Sequence, residues 1–182
     1  MKNKKIIKWF GLADFSKEEV FLQQQHEQGW KMVDLKLPFS IYIFEKCKPE
    51  DYVYQLDFKP EETDTDEYLQ LFQDCGWEYF YKFGCWYYFR KPKSETIEEN
   101  VIFSDAPSRA EMAKKVVKFQ SICIAAVLFP ALCLFPTLLN RSEEKRSMPV
   151  VFLSIYAIIL FLLIGIHLTN FLKLNRIIRN DK

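Results

Sequence analysis

"LQQQHEQGW", Leu22–Trp30, and "LQLFQDCGW", Leu69–Trp77, decide the reading of this chain, because a constant offset of 47 residues lays one on the other. The offset pairs Leu22 with Leu69, Gln23 with Gln70, Gly29 with Gly76 and Trp30 with Trp77, and sets Glu27 against Asp74. Upstream, Ser16 followed by Glu19 has the form of a helix capping box, and Thr63 with Asp66 repeats it more weakly at the same offset. Downstream the offset falls to 45, so that Tyr42, Phe44 and Lys46 meet Tyr87, Phe89 and Lys91. A hairpin loop two residues shorter in the second copy accounts for the change.

Each copy opens with an extended run, "KKIIKWFGL" or "DYVYQLDF", and continues as a capped helix. Gly29 or Gly76 stops that helix as a left-handed residue does, and Trp30 or Trp77 starts the next strand. Two further extended runs then form a hairpin, "WKMVDLKL" with "IYIFEKC" and "WEYFYKF" with "CWYYFRK". The fold class expected is α+β: duplicated β-α-β-β units forming one pseudo-two-fold sheet with two helices on one face, a ferredoxin-like variant being the alternative.

The rest of the chain has a different composition. Two apolar runs, 116–139 and 150–172, hold as their only charge-bearing side chains Lys118 near one end and His167 near the other. At ~1.5 Å per helical residue each exceeds a hydrocarbon core of ~30 Å, so the expectation is an α-helical transmembrane hairpin. Basic residues lie before the first run (Arg109, Lys114, Lys115) and after the second (Lys173, Arg176, Arg179), which predicts cytoplasmic N- and C-termini and a plasma-membrane address with two spans. The expected organisation is a cytoplasmic domain over 1–92, a linker and juxtamembrane helix over 93–115, spans at 116–139 and 150–172, an external loop at 140–149 and a basic tail at 173–182. Within the linker, Ser104 or Asp105 supplies a helix N-cap before Pro107.

Little in the chain points to catalysis. There is no phosphate-binding glycine loop, nucleophile elbow or HExxH pair, and no catalytic residue, cofactor or metal is expected. His26 reads as a solvated helix residue, since its partner at the offset of 47 is Gln73. The five cysteines show no metal-ligand spacing and read as small apolar packing residues in a reducing compartment. Residues 1–92 hold 13 Lys and Arg against 16 Asp and Glu, with no basic stripe, so direct nucleic-acid binding is not expected. The acidic stretch "EETDTDE" reads as a solvated helix N-terminus.

The aromatic excess of the second hairpin is the more informative feature. Alternation puts Trp77, Tyr79, Tyr81 and Phe83 on one face of a strand, and Trp86, Tyr88 and Arg90 on one face of the next. One side of this hairpin is core, and the other is expected to present a binding face made of Tyr79, Tyr81, Trp86, Tyr88 and Arg90. The segment Lys8–Lys91 with "GLADFSKEEVFLQQQHEQGWKMVD", followed by "IFSDAPSRAEM" and paired spans, resembles a Firmicutes family of membrane proteins carrying a domain of unknown function. Genes of that family often lie beside PadR-like transcriptional regulators, so the resemblance implies a regulatory protein partner and no established reaction. The expected function is a membrane-anchored, non-enzymatic binding or regulatory module, in contact with membrane lipids and able to form homo-oligomers. The alternative is a membrane-associated sensor of an amphiphilic small molecule.

Overall fold

The computed structural model describes residues 3–38, 40–61, 65–94, 106–139 and 147–180. Thr63, the Ser104 and Asp105 cap, and positions 140–146 of the expected loop lie outside the described residues. The elements are β1 (Asn3–Ile7), α1 (Phe15–Glu27), β2 (Trp30–Lys36), β3 (Ile41–Lys46), β4 (Tyr52–Phe58), α2 (Thr65–Asp74), β5 (Glu78–Phe83), β6 (Trp86–Pro92), α3 (Ala106–Leu139) and α4 (Ser147–Asn180). They fall into two compact units, one up to Met112 and the other Ala113–Asn180.

In the first unit the order β-α-β-β occurs twice. The expected single sheet is instead two antiparallel three-stranded sheets, ordered β1-β3-β2 and β4-β6-β5. The reason lies at the edges. β2 and β5 each carry a register break, between Met32 and Asp34 and between Tyr79 and Tyr81, so Val33 and Phe80, 47 positions apart, are the extra residues. A bulge bends its strand and leaves a residue unpaired, which stops the two edges from continuing one ladder. They meet through a side chain instead: the Tyr81 hydroxyl lies 2.9 Å from the Leu35 carbonyl and 3.1 Å from Asp34 Oδ1.

The helices do not share a face either. α1 lies between the sheets: Phe21 packs on Tyr42 and Phe44 of the first, while Phe15 packs on Trp86 and His26 on Tyr52 and Tyr54 of the second. α2 covers the opposite face of the second sheet, where Phe72 and Trp77 join Val53, Tyr87 and Phe89 in a core cluster. β4 is therefore buried from Val53 to Phe58, with cover on both sides. Truncating a ring such as Phe89, which is wholly buried, costs about 3–5 kcal/mol in a core of this kind. The order first sheet, α1, second sheet, α2 is not the expected pseudo-two-fold arrangement.

Both helices stop at the glycine the sequence marks. Gly29 (φ +82) and Gly76 (φ +78) hold left-handed conformations, and their N–H groups donate to the His26 and Gln73 carbonyls. The β2–β3 loop spans 37–40 and the β5–β6 loop spans 84–85, a difference of two residues that matches the drop in offset. The capping box at Ser16 and Glu19 does not form: α1 begins two residues earlier, after Asp14, whose carbonyl accepts from Lys17 and Glu18 N–H. Cys75 is exposed and Cys47 and Cys85 are half-buried, so Cys75 is not the packing residue expected.

The second unit is built from α3 and α4. Among the described residues one segment, Ser154–Arg176, is long and apolar enough to cross a membrane, with 23 residues and a mean hydropathy of 2.2. Large apolar side chains along it, including Ile158, Phe161 and Leu162, are exposed in the isolated chain. The expected first span lies within α3, and its side chains from Pro130 onward are outside the described residues.

Candidate functional site

Two consecutive acids of α1 organise the interior of the first unit. Neighbouring helical residues point about 100° apart, so Glu18 and Glu19 address different walls. Glu18 Oε1 accepts hydrogen bonds from the Tyr42 hydroxyl of β3 and the Tyr88 hydroxyl of β6, both at 2.8 Å. One carboxylate oxygen thus ties the two sheets together. Burial pushes the Glu18 carboxyl above its ordinary range, and the two phenol hydrogen bonds oppose that rise only in part. The same burial, with Glu18 alongside, pushes both tyrosines upward, so they remain protonated donors.

Glu19 accepts from the Leu56 N–H at 3.0 Å and from Arg109 Nη2 at 2.6 Å. Arg109 sits in the first turns of α3, also reaches Ser16 Oγ at 3.2 Å and lies 5.5 Å from the centre of the Phe15 ring. Burial raises the Glu19 carboxyl, with the Arg109 charge the leading opposing cause. A buried carboxylate left without its cation is strongly unfavourable, so this pair latches the start of α3 to α1.

A second polar group lies at the other end of α1. His26 is 4 % exposed, its Nδ1 is 2.8 Å from the Tyr54 hydroxyl, and its ring stacks on Tyr52 at 4.2 Å. The expected solvated histidine is therefore a core residue. Burial, followed by the Arg90 charge, lowers its pKa and keeps the imidazole neutral-favouring, while burial pushes the Tyr54 phenol up to about 12. Arg90 forks onto Glu78 at 2.7 and 2.8 Å and caps the Phe80 ring. These side chains are packed against one another, and the described residues contain no metal-binding cluster of His, Cys, Asp and Glu.

An open cleft of about 430 Å³ lies between α2 and β5, lined by Leu69, Gln73, Gly76, Trp77, Glu78 and Tyr79. Its counterpart in the first half is filled. A Cβ at Gly29 would lie 3.0 Å from the Cys47 carbonyl and 3.3 Å from the Pro49 ring, and the Cys47 N–H donates to the Gly29 carbonyl at 2.9 Å. Among the described residues, a Cβ at Gly76 would meet nothing within 4 Å. The same glycine-tryptophan step is thus sealed by the chain leading to β4 in one half and open in the other.

The expected aromatic binding face is dispersed. Trp86 and Tyr88 are buried, 8 % and 2 % exposed, against Phe15, Phe58 and Glu18, so they are not available to a partner. Tyr79 contacts Tyr87 and Phe89 on the α2 side, whereas Tyr81 contacts Tyr88 on the α1 side, because the break at Phe80 reverses the alternation. Arg90 is committed to Glu78. Tyr79 remains exposed, at the rim of the cleft, with Gly76 and Trp77 in its lining. Gly29 and Trp30 stand at the sealed counterpart. Sequence reasoning missed the roles of Glu18, Glu19 and Arg109; the signal for the two acids was their place between the aromatic helix positions Phe15 and Phe21, both of which are buried. No curated protein matches the chain. No solved structure matches it. Residues 14–127 match the family described as "Protein of unknown function (DUF2812)", and the chain belongs to that family.

Proposed function

We propose that this DUF2812 member is a membrane-anchored, non-enzymatic regulatory module that takes an extended segment of a protein partner into the cleft at Gly76. The observation that carries the reading is the contrast between the two glycine steps: Cys47–Pro49 packs over Gly29, and the equivalent place over Gly76 is open. The first half supplies an example of the kind of ligand that fits, a short extended backbone that donates an N–H to the glycine carbonyl and lays a proline against the step. On this reading the two halves are copies of one unit, and the second has kept its groove free for another chain.

The anchor in this proposal is a two-helix hairpin, with both termini in the cytoplasm of a Gram-positive cell and the apolar segment Ser154–Arg176 as its second span. The partner is a regulator of the PadR-like class, in keeping with the family resemblance. Arg109, held by buried Glu19, gives the first turns of α3 a fixed hold on α1. An amphiphilic small molecule is the second reading, favoured by the Leu69, Trp77 and Tyr79 side chains in the cleft.

A photo-crosslinking residue at Gln73, in the full-length protein in native membranes, tests the proposal. A protein adduct is expected from position 73, lost when Leu69→Arg fills the cleft, and not obtained from position 71 on the exposed side of α2. The same adducts from both positions, or none from position 73, would refute the cleft as the site. Thermal stabilisation by an amphiphile that disappears with Leu69→Arg, without a protein adduct, would replace the partner with the small molecule.

A further inference from the structure

At one end of the first sheet, large apolar side chains and lysines stand together in the open. Ile7 is 72 %, Trp9 75 % and Leu37 62 % exposed, in a chain whose other tryptophans are buried or half-buried. The register brings them together: Ile7 and Lys36 both pair with Ile41, and the Lys8 N–H donates to the Ser40 carbonyl at 3.2 Å. Residues 3–10 contain three lysines and no acidic residue. Lys5 points outward beside Ile7, and Lys8 lays its ammonium 4.2 Å from the centre of the Phe21 ring, over the aromatic group Phe10, Phe21 and Tyr42. Neither Lys5 nor Lys8 has an ion pair among the described residues, while Lys36 reaches Asp34 only at 4.0 Å.

Exposed tryptophan and aliphatic side chains beside lysines, two of which lack an ion pair among the described residues, have one natural solvent. An indole is at home in the headgroup region, where its apolar ring is sheltered and its N–H stays wet. Lysines with long apolar stems keep their charge among anionic headgroups, and each adds to the attraction of a negative leaflet. A protein pocket for the same patch would have to bring acidic groups and bury Trp9, whereas the bilayer supplies both charge and apolar depth.

We propose that Ile7, Trp9 and Leu37, with Lys5, Lys8 and Lys36 around them, form a tip that inserts into the headgroup layer of an anionic bilayer. This contact is additional to the apolar segment of α4, rests on the anchoring part of the functional reading and is independent of the cleft. It fixes a second point of the soluble unit on the membrane and makes its residence there dependent on lipid charge.

The test uses the full chain reconstituted into vesicles whose acyl chains carry bromine, with Trp9→Phe subtracted to isolate the Trp9 emission. Expected is quenching of Trp9 in phosphatidylglycerol vesicles, at least twofold weaker in phosphatidylcholine, and at least twofold weaker in Lys5→Glu/Lys36→Glu, whose circular dichroism is unchanged. Trp9 unquenched in vesicles that carry the chain on flotation would overturn the tip alone. Failure to float would overturn both the tip and the anchor. Quenching equal in the two lipids would overturn the role of the lysines, and shielding of Trp9 that grows with protein density instead of lipid charge would assign the patch to a second copy.

Discussion

Replacing Tyr88 by phenylalanine removes one of the two donors to Glu18 Oε1 and nothing else of comparable size, since the ring still packs beside Phe80 and Tyr81. A hydrogen bond to a charged group in a buried site contributes about 1.5–3 kcal/mol. For a unit of about 100 residues that corresponds to a fall in Tm of roughly 6–24 °C. Tyr42→Phe removes the other donor and is expected to cost a similar amount. The double variant leaves the oxygen with neither phenol, so its penalty is expected to exceed the sum of the singles by about 1 kcal/mol, as for residues that share a partner. All four tryptophans, at 9, 30, 77 and 86, belong to the first unit, so their fluorescence follows its unfolding in the intact protein without isolating it.

The pH dependence sharpens this test. The folded-state pKa of Glu18 lies above 4.5, so its favourable contribution is complete below 4.5 and is lost as pH rises through the folded value. Each phenol opposes the rise, and removing one lifts the folded value further. The penalty of Tyr88→Phe is therefore smallest near pH 4.5 and grows toward neutral pH. A penalty that is flat with pH, or strictly additive with Tyr42→Phe, would refute Glu18 as the shared acceptor between the sheets.

Gly29→Ala and Gly76→Ala place the same strained residue at positive φ, at about 1 kcal/mol each, but only at Gly29 does the new methyl press on backbone, the Cys47 carbonyl at 3.0 Å. Denaturant unfolding is expected to show the Gly29 variant as the weaker by a further 1 kcal/mol or so, and equal losses would mean that the two steps are equally open. His26, whose pKa is lowered by burial, contributes stability that is present above 6.5 and is lost as pH falls through its folded value. Between pH 6.5 and 5, wild type is expected to lose more stability than His26→Gln, and a constant difference between the two would remove the imidazole from the acid response.

What could be read from the sequence is what depends on neighbours along the chain. The Gly29 and Gly76 stops, the hairpins that follow them and the two-residue difference in their loops all follow from local pattern and offset. Faces were harder, because one unpaired residue reverses every side chain beyond it. Phe80 does this in β5, so Tyr79 and Tyr81, two apart, look into different layers. His26 was misread because its counterpart Gln73 suggested solvent; α2 has the second sheet on one side, but α1 has a sheet on each. A sign of this was present in "DYVYQLDF", where apolar residues do not alternate cleanly with polar ones, the mark of a strand covered on both faces. Ser16 and Glu19 have the spacing of a capping box, yet Glu19 is drawn inward by the Leu56 N–H and Arg109, partners 37 and 90 positions away that no local rule can see.

The layer order also explains why equivalent residues in the two halves have different uses. In both, a lysine lies over the helix aromatic, Lys8 on Phe21 and Lys59 on Tyr68, and in both a glycine turns the helix into the next strand. The first helix is enclosed because a second sheet follows it; its buried Glu18 then holds two walls at once, while Glu19 and His26 bond to the second. The second helix has no third sheet among the described residues, so its outer positions Gln70, Gln73 and Asp74 remain exposed and the step at Gly76 stays uncovered. If the two halves are copies stacked in one direction, as proposed, the last unit keeps the surface that its predecessor used for packing. Gly29 accepts the Cys47 N–H in the first half, and on the proposed reading the step at Gly76 accepts a partner's backbone in the same way, so that binding falls to the second half and structure to the first.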